Sequence, residues 1–250
     1  MKKLMALLLA LVMVMSLAAC GEQKTNENKG DAASGDATPP AEITYAVEAG
    51  SAGEEVAQAN GFKTVAVGSQ ANALMEVDAG TADAAIIDLL MAGAMVGEGT
   101  SYPDLKVTEQ KLNSELYGVG CRKGSDLTSF INSVMSAAYA DGTMVELAKT
   151  YGVQESLLEQ PACEFTAAES DSDVQYIQDK GKLIVGITEF APMDYQDANG
   201  QWIGFDADMA KLVAEKLGVE VEFQIINWDM KVEELDGKQI DCVWNGMTLT

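Results

Sequence analysis

Short apolar runs alternate with segments of helical periodicity from Ile43 onward. The runs ITYAV, FKTVAV, DAAII and LKVTE predict buried strands, and the segments between them, SAGEEVAQANG, SQANALMEVDAG and LLMAGAMV, predict helices. Alternation at these lengths is typical of βα units around a mainly parallel sheet. The first half of the chain is therefore predicted to be an α/β structure.

The pattern changes at residue 116 and later starts again. LYGVGCRKG predicts a glycine-rich strand, and two helices follow it, one from Leu127 and one over MVELAKTYG. Residues 159–173 are polar and acidic, which indicates a linker. A second series follows, with helices predicted over VQYIQDKG, GFDADMAKLVAEKLG and DMKVEELDG, and strands over KLIVGI, VEVEFQII and IDCVWN. We expect a second lobe to begin there.

The two series resemble each other over LMEVDAGTADAAIID and VEELDGKQIDCVWNG. Both run from a helix end through a glycine to an aspartate, then through mostly apolar residues to a polar or glycine position. This match places Asp88 and Gly246 at equivalent points, the carboxyl ends of comparable strands. Ligands of open parallel sheets bind in the crevice outside such ends.

The first twenty residues indicate a secretory signal. Lys2 and Lys3 precede the apolar run LMALLLALVMVM, which is too short to span a bilayer stably. The small residues of LAAC before Cys20 resemble the lipobox of a bacterial lipoprotein, although an ordinary signal with an incidental cysteine is the alternative. Residues 21–42 contain no large apolar side chain and predict a flexible tether. About 200 residues remain, enough for one large domain or two small lobes.

Charge and composition narrow the functional classes. The formal net charge is −23, and it becomes more negative when Lys2 and Lys3 leave with the signal. A polyanion repels nucleic acids, so no nucleic-acid partner is expected. Histidine is absent, which removes the usual general base and the commonest metal ligand. No metal, cofactor or catalytic residue is predicted.

Three cysteines follow Cys20 in the sequence: Cys121, Cys163 and Cys242. Their wide spacing and odd number indicate neither a disulfide framework nor a CxxC site, and at most one bridge could form. We favour free and mostly buried thiols.

Small groups at the predicted strand ends could bind a small zwitterion. Asp88 can accept hydrogen bonds from an ammonium group, although it could also cap the helix that follows, and the two roles are compatible. Gly50, Ser51 and Ala52 lie where a strand turns into a helix. Free N–H groups and the helix dipole favour an anion at such a point, and a simple helix cap is the alternative.

The second series offers comparable groups. Gly246 and Thr248 supply an open backbone and a hydroxyl at a strand end. Phe190 and Trp228 both follow strands and could stack on a ligand, although core packing is the commoner role of a single aromatic. The convergence of a carboxylate, helix starts and aromatics on strand ends favours a ligand site.

Residues 174–250 resemble the amino-terminal lobe of the polar-amino-acid solute-binding proteins of bacterial ABC importers, family 3 of the periplasmic binding protein-like II type. The likeness lies in GKLIVGITEFAPMDYQDANGQWIGFDADMAKLVAEKLGVEVEFQIINWD and DGKQIDCVWNGMTLT. Residues 43–152, with GSAGEE, GTADAAIID, LYGVGCRKGSDL and ADGTMVELAKTYG, resemble the carboxy-terminal half of the same family. The two halves stand in reversed order.

The resemblance implies two α/β lobes that close on an amino acid, and a loaded protein that docks on a membrane permease. By position, Asp88 matches the carboxylate that receives the α-ammonium group. Ser51 and Ala52 match the helix start that faces the α-carboxylate. Gly246 and Thr248 match positions that hold the ligand through backbone and hydroxyl.

Two aromatics also match the family, and two features depart from it. Phe190 matches the aromatic that stacks on the ligand, and Trp228 falls near the second hydrophobic wall. Met193 stands where the family usually carries an aromatic. The arginine that pairs with the ligand carboxylate follows GMTLT in the family, as does the first hinge strand. A chain without this arginine is expected to bind weakly.

The reversed order has two explanations. The sequence could be the front of a longer lipoprotein that carries a partial copy and then an interrupted complete copy, or it could be a circular permutant. We favour the first. The expected divisions are a signal peptide (1–20), a tether (21–42), a ligand-binding lobe (43–115), a hinge strand with closing helices (116–158), a linker (159–173) and an incomplete amino-terminal lobe (174–250).

We therefore predict a monomeric, extracytoplasmic amino-acid receptor for import, anchored to the cell membrane by a lipid on Cys20. Its expected partners are a membrane permease and a polar amino acid such as glutamine, glutamate or cystine. Two alternatives stay open: a dehydratase-like enzyme with Asp88 or a glutamate as acid or base, and a first half that serves only for docking.

Overall fold

The computed structural model describes residues 42–249. The predicted signal peptide, the predicted lipidation site Cys20 and all of the predicted tether except its final residue lie outside the described residues. Within residues 42–249, no helix has the length and apolar character needed to cross a membrane.

Strands and helices alternate in both series. The first series contains β1 (Thr44–Glu48), α1 (Ala52–Ala59), β2 (Lys63–Val67), α2 (Gln70–Asp78), β3 (Ala84–Ala85) and α3 (Leu89–Met95). The middle of the chain forms β4 (Tyr117–Cys121), α4 (Leu127–Ala140) and α5 (Thr143–Thr150). The second series contains α6 (Asp173–Lys180), β5 (Lys182–Ile187), β6 (Tyr195–Gln196), β7 (Trp202–Ile203), α7 (Phe205–Leu217), β8 (Glu220–Ile225), α8 (Lys231–Asp236) and β9 (Cys242–Thr248). The predicted α/β class with mainly parallel sheets is confirmed.

The first series builds a three-stranded parallel sheet in the order β2-β1-β3. β1 is the central strand, and its Ala46 and Val47 are fully buried. α1 and α2 begin at Ser51 and Ser69, whose side-chain oxygens accept hydrogen bonds from N–H groups of the first helical turn. The two serines therefore determine where the chain turns from strand into helix.

The strand predicted over LKVTE is wrong. Residues 105–109 have no strand partner in the described chain, and Val107 is 53% exposed. The strand predicted over DAAII is short, because its ladder with β1 includes only Ala84 and Ala85. Apolar alternation makes a strand only where a neighbour satisfies the backbone N–H and C=O groups, and that neighbour is not visible in the local pattern.

β4, from the middle of the chain, completes the sheet of the second series. The strand order is β4-β9-β5-β8, in which β8 and β9 run parallel to β5 and β4 runs antiparallel to β9. Leu183, Val185 and Ile187 of the inner strand β5 are fully buried. α4, α5 and α7 contact one another, and their apolar residues share one core with this sheet.

The segment predicted to be a linker packs along α4. The Cys163 N–H donates to Ser136 Oγ at 3.2 Å. The ring of Phe165 meets Phe130 edge-on, with centroids 5.3 Å apart. The segment has no helix or strand up to residue 172, as its composition indicates, but its contacts fix its path across the helix.

Arg122, the single arginine of this sequence, fixes the end of β4. Its Nη2 donates to Asp173 Oδ1 at 2.9 Å, and its Nη1 donates to the carbonyl oxygens of Leu235 and Ile240 at 3.2 and 2.8 Å. Asp241 Oδ1 lies 3.6 Å from Nη2. The Arg122 side chain is only 9% exposed. One buried cation therefore joins β4, α6 and the segment between α8 and β9.

Candidate functional site

Asp88 lies between β3 and α3, at the predicted strand end. Its carboxylate accepts a hydrogen bond from Gln70 Nε2, and its N–H donates to Gln70 Oε1 at 2.8 Å. The side chain makes no capping bond to α3. Burial raises the pKa of Asp88, and hydrogen bonds from Gln70 and Tyr117 partly offset this effect. A buried carboxylate of this kind is stabilised by a cationic partner.

Tyr117 of β4 contacts residues of both series. Burial and the nearby Asp88 carboxylate raise the pKa of Tyr117. The Tyr117 ring meets the Phe190 ring edge-on, with centroids 6.2 Å apart. Tyr117 is also paired in register with Thr248 of β9. The structure therefore brings Asp88, Phe190 and Thr248 around a tyrosine that the sequence did not single out.

Phe190 and Gly246 pack directly against each other. Phe190 is 2% exposed, and a Cβ atom on Gly246 would lie 2.5 Å from its ring. Gly246 also has a φ of +59°, which favours glycine. Thr248 Oγ1 donates to Glu115 Oε2 at 2.7 Å. Phe190 is thus enclosed by Tyr117 and Gly246, and the Thr248 hydroxyl is already engaged with a carboxylate.

Ser51 caps the start of α1. The Glu54 N–H donates to Ser51 Oγ at 3.1 Å, and the Gly50 N–H, one residue before the cap, donates to Glu54 Oε2 at 2.8 Å. The spacing S-x-x-E over residues 51–54 is the sequence signal for this arrangement. Glu54 therefore occupies one of the donors that an anion would use, and Ala52 lies within the first turn beside it.

Trp228 belongs to a separate small core, which contains Ile226, Leu235, Ile240 and Val243. The Lys231 ammonium lies 4.9 Å from the centre of its indole ring. Lys231 Nζ also donates to the Gly50 carbonyl at 3.0 Å. Trp228 and the Ser51 helix start are therefore neighbours, with Lys231 between them, and neither lies beside Phe190 and Gly246.

Glu48, at the end of β1, connects the two groups of predicted residues. It is 3% exposed, and its Oε1 has no hydrogen-bond partner within the described residues. Burial raises its pKa to about 7, with opposing contributions from Thr188 and from Lys231, while Asp88 raises it further. Sequence reasoning missed Glu48. The available signal was a single acidic residue inside the apolar strand pattern YAVEAG.

Replacing Glu48 by glutamine is expected to flatten the pH dependence of stability. A carboxyl whose folded pKa is about 7, above its unfolded value of 4.5, destabilises the fold progressively as pH rises through this window. The variant should gain up to about 3 kcal/mol over the parent at pH 8 and almost nothing at pH 4.5. Urea unfolding at several pH values measures this, with Glu155→Gln as an exposed control. Parallel stability curves for parent and Glu48→Gln would contradict the expectation.

A pair of buried carboxylates lies next to Gly246. Asp206, near the start of α7, accepts a hydrogen bond from the Gly246 N–H at 3.4 Å. Asp194 accepts one from Asn245 Nδ2 at 2.9 Å. Burial raises the pKa of Asp206, and burial together with the charge of Asp206 raises the pKa of Asp194. Neither Asp194 nor Asp206 was selected from the sequence as a site residue. Each lies in a helical or turn segment, and neither directly follows an apolar run that predicts a strand.

An open cavity of about 1470 Å³ lies between elements of the two series. Its wall includes Asp88, Glu115, Tyr117, Asp206 and Trp244, and acidic residues outnumber basic ones in its lining. Of the seven residues predicted for the site, Asp88 alone lines the cavity in the described chain. The arrangement offers carboxylates and a phenol on an otherwise largely apolar wall, a surface suited to a small cation.

Part of the second series matches a known family. Residues 183–250 match the model of the bacterial extracellular solute-binding proteins, family 3. The L-cystine-binding protein TcyJ of Escherichia coli (strain K12) is 33% identical over 75 residues, 30% of this chain and 28% of TcyJ. The arginine-binding extracellular protein ArtP of Bacillus subtilis (strain 168) is 38% identical over 72 residues, 28% of either chain.

One solved structure shares sequence over a similar stretch. An ancestral cationic amino acid solute-binding protein is 41% identical over 32% of this chain and 35% of its own, with a TM-score of 0.31. The chain spans less than a third of the length of each of these two curated relatives. These relatives are amino-acid-binding proteins, and the α/β fold agrees with the family.

Proposed function

We propose that this chain is the amino-acid-binding component of an ABC importer and that it acts outside the cytoplasm. The observation that carries the proposal is the position of Asp88. This partly buried carboxylate stands on the wall of a cavity between the two series, and residues 183–250 match the model of the bacterial extracellular solute-binding proteins, family 3. A membrane permease is the partner that such a receptor serves.

The ammonium group of the ligand binds to Asp88. Burial raises the pKa of the Asp88 carboxyl, so a cation that enters the cavity relieves unfavourable desolvation. The Tyr117 hydroxyl, next to Asp88, orients the carboxylate. Phe190 packs edge-on against the Tyr117 ring from outside the cavity and supports this part of the wall.

The ligand carboxylate needs a donor other than arginine in the described chain. Arg122 is held by Asp173 and by carbonyl oxygens, so it is not free for a ligand. Lys106 and Lys111 line the cavity. We propose that these two lysines replace the stronger bidentate contact, which predicts modest affinity.

The charge of the cavity favours certain amino acids. Glu115 and Asp206 line it together with Asp88, and a negatively charged side chain would be repelled by them. Glutamine, cystine and arginine therefore fit the site better than glutamate does.

The chain is further proposed to be a monomer held at the outer face of the cell membrane by a lipid on Cys20. The apolar run before LAAC and the polar segment after it support this anchor. Metabolic labelling with a fatty acid tests it, because label should be lost in Cys20→Ser and kept in Cys163→Ser. Equal labelling of both variants would contradict the anchor.

The test of the receptor function is calorimetric titration. Arginine, glutamine, cystine, glutamate and the other common amino acids are titrated into the full-length product of the gene that encodes this sequence. We expect saturable binding of at least one neutral or cationic amino acid and weaker binding of glutamate. Absence of binding by every amino acid, in a sample that unfolds cooperatively, would overturn the proposal.

A further inference from the structure

Two of the cysteines face each other across a pair of strands. Cys121 ends β4 and Cys242 begins β9, and the antiparallel register of these strands pairs them directly. The other pairs in this ladder are Gly120 with Val243 on one side of a bulge, and Gly118 with Met247 and Tyr117 with Thr248 on the other. The sequence separation of the two cysteines gave no indication of this proximity.

Directly opposed residues of an antiparallel pair project from the same face of the sheet. Their Cβ atoms lie about 4.5–5.5 Å apart, and a disulfide needs about 3.5–4.5 Å. A small adjustment of the two strands therefore suffices to join the sulfurs. The Cys121 thiol is close enough to raise the pKa of Cys242, whose burial is the larger cause of that rise.

The surroundings hold both residues in place. Cys242 is fully buried, with its strand between β4 and β5, whereas Cys121 is partly exposed. Arg122, next to Cys121, is anchored to Asp173 of α6. The backbone at Cys121 is therefore fixed from one side by the ladder and from the other by an ion pair.

We propose that Cys121 and Cys242 form a cross-strand disulfide that joins the middle of the chain to its second series. The inference rests on the proposed extracytoplasmic location, because disulfides persist in oxidising compartments. The oxidant is a second disulfide, such as oxidised glutathione or the active-site disulfide of a thiol oxidase.

The disulfide forms in two thiol–disulfide exchange steps. The Cys121 thiol loses a proton, and its thiolate attacks one sulfur of oxidised glutathione, which forms a mixed disulfide and releases a glutathione thiolate. The Cys242 thiol then loses its proton and attacks the Cys121 sulfur, which forms the cross-strand bond and releases the second glutathione thiolate. Burial raises the pKa of Cys121 to about 11, so the first step should accelerate about tenfold per pH unit between pH 7 and 9.

The Cys121–Cys242 disulfide would restrain residues of the candidate site. β4 carries Tyr117 and β9 carries Gly246 and Thr248, so a covalent link at one end of the ladder restrains the relative position of these residues. The same bond closes a long loop of chain, which reduces the freedom of the unfolded state. We expect the oxidised chain to melt about 5–10 °C above the reduced one.

Peptide mapping tests the pairing. The full chain is reduced, freed of reductant, incubated with oxidised glutathione, alkylated and digested with trypsin. Cleavage after lysine and arginine places Cys121 in peptide 112–122, Cys163 in peptide 150–180 and Cys242 in the peptide that begins at residue 239. We expect the peptides of Cys121 and Cys242 to appear as one species that lacks two hydrogens relative to their sum, with Cys163 outside it.

Cysteine variants show which thiols form the linked species. The linked species should persist in Cys163→Ser and disappear in Cys121→Ser and in Cys242→Ala, and the melting shift on oxidation should follow the same pattern. The proposal would be overturned if, after prolonged oxidation, Cys242 were found alkylated and Cys121 were found alkylated or bound to glutathione. A disulfide that includes Cys163 would overturn it as well. The map does not depend on amino-acid binding, so failure of the receptor function is seen in calorimetry alone.

Discussion

Replacing Arg122 by methionine is expected to lower the free energy of unfolding by about 3 kcal/mol, because it leaves the buried Asp173 carboxylate without its closest cation. Asp173 is 8% exposed, whereas the fully buried Asp241 keeps its ion pair with Lys180 at 2.7 Å. The substitution also leaves the carbonyl oxygens of Leu235 and Ile240 without this donor. Chemical denaturation followed by tryptophan fluorescence measures the loss.

Lys182→Met supplies the matched control for Arg122→Met. Lys182 pairs with Glu222 at 2.6 Å, but both side chains are more than 40% exposed, and such surface pairs contribute roughly 0–1 kcal/mol. The two variants should therefore differ clearly in denaturation midpoint. Equal stabilities would mean that Arg122 does not hold β4 to the second series.

Asp88→Asn is expected to weaken binding of the amino-acid ligand about 30-fold or more. Loss of one partner from a buried charged pair costs about 2–5 kcal/mol, and asparagine keeps a carbonyl oxygen for Gln70 Nε2. The effect should act on the ammonium group specifically. We expect the parent chain to prefer the amino acid strongly over the analogue that lacks the amino group, and Asp88→Asn to distinguish the two poorly.

Asp236→Asn provides the control for this binding experiment. Asp236 ends α8 on an exposed surface, so its replacement changes the net charge equally without touching the cavity. The affinity of Asp236→Asn for the amino-acid ligand should equal that of the parent chain. If Asp88→Asn retained the full preference for the amino group while folding normally, Asp88 would not be the ammonium site.

Helices could be predicted well because their signals are local. The serines at residues 51 and 69 mark helix starts, and Gly218 ends α7 in the left-handed conformation that its position after Leu217 predicts. The failure at LKVTE has the opposite cause. Whether an apolar alternation becomes a strand depends on a partner that lies elsewhere in the chain.

The site could be predicted only in part for the same reason. Asp88 was found because it follows a recognisable strand. Gly246 was found because a strand was predicted to end just before it, although β9 continues through Gly246 to Thr248. Tyr117 was not found, since nothing in YGVGC shows that it lies against Asp88 and Phe190. The single acidic residue of YAVEA was a signal for Glu48, but it does not show that this side chain loses its solvent. The role of Tyr117 depends on the pairing of β4 with β9, which no local pattern encodes.

The pairing of β4 with β9 also has a consequence during synthesis. About 120 residues separate the two strands, so at roughly 5–20 residues per second β4 leaves the ribosome about 6–24 s before its partner exists. For that time its glycine-rich backbone has free N–H and C=O groups that could pair with another chain. Closure of the second sheet is thus a late, long-range event.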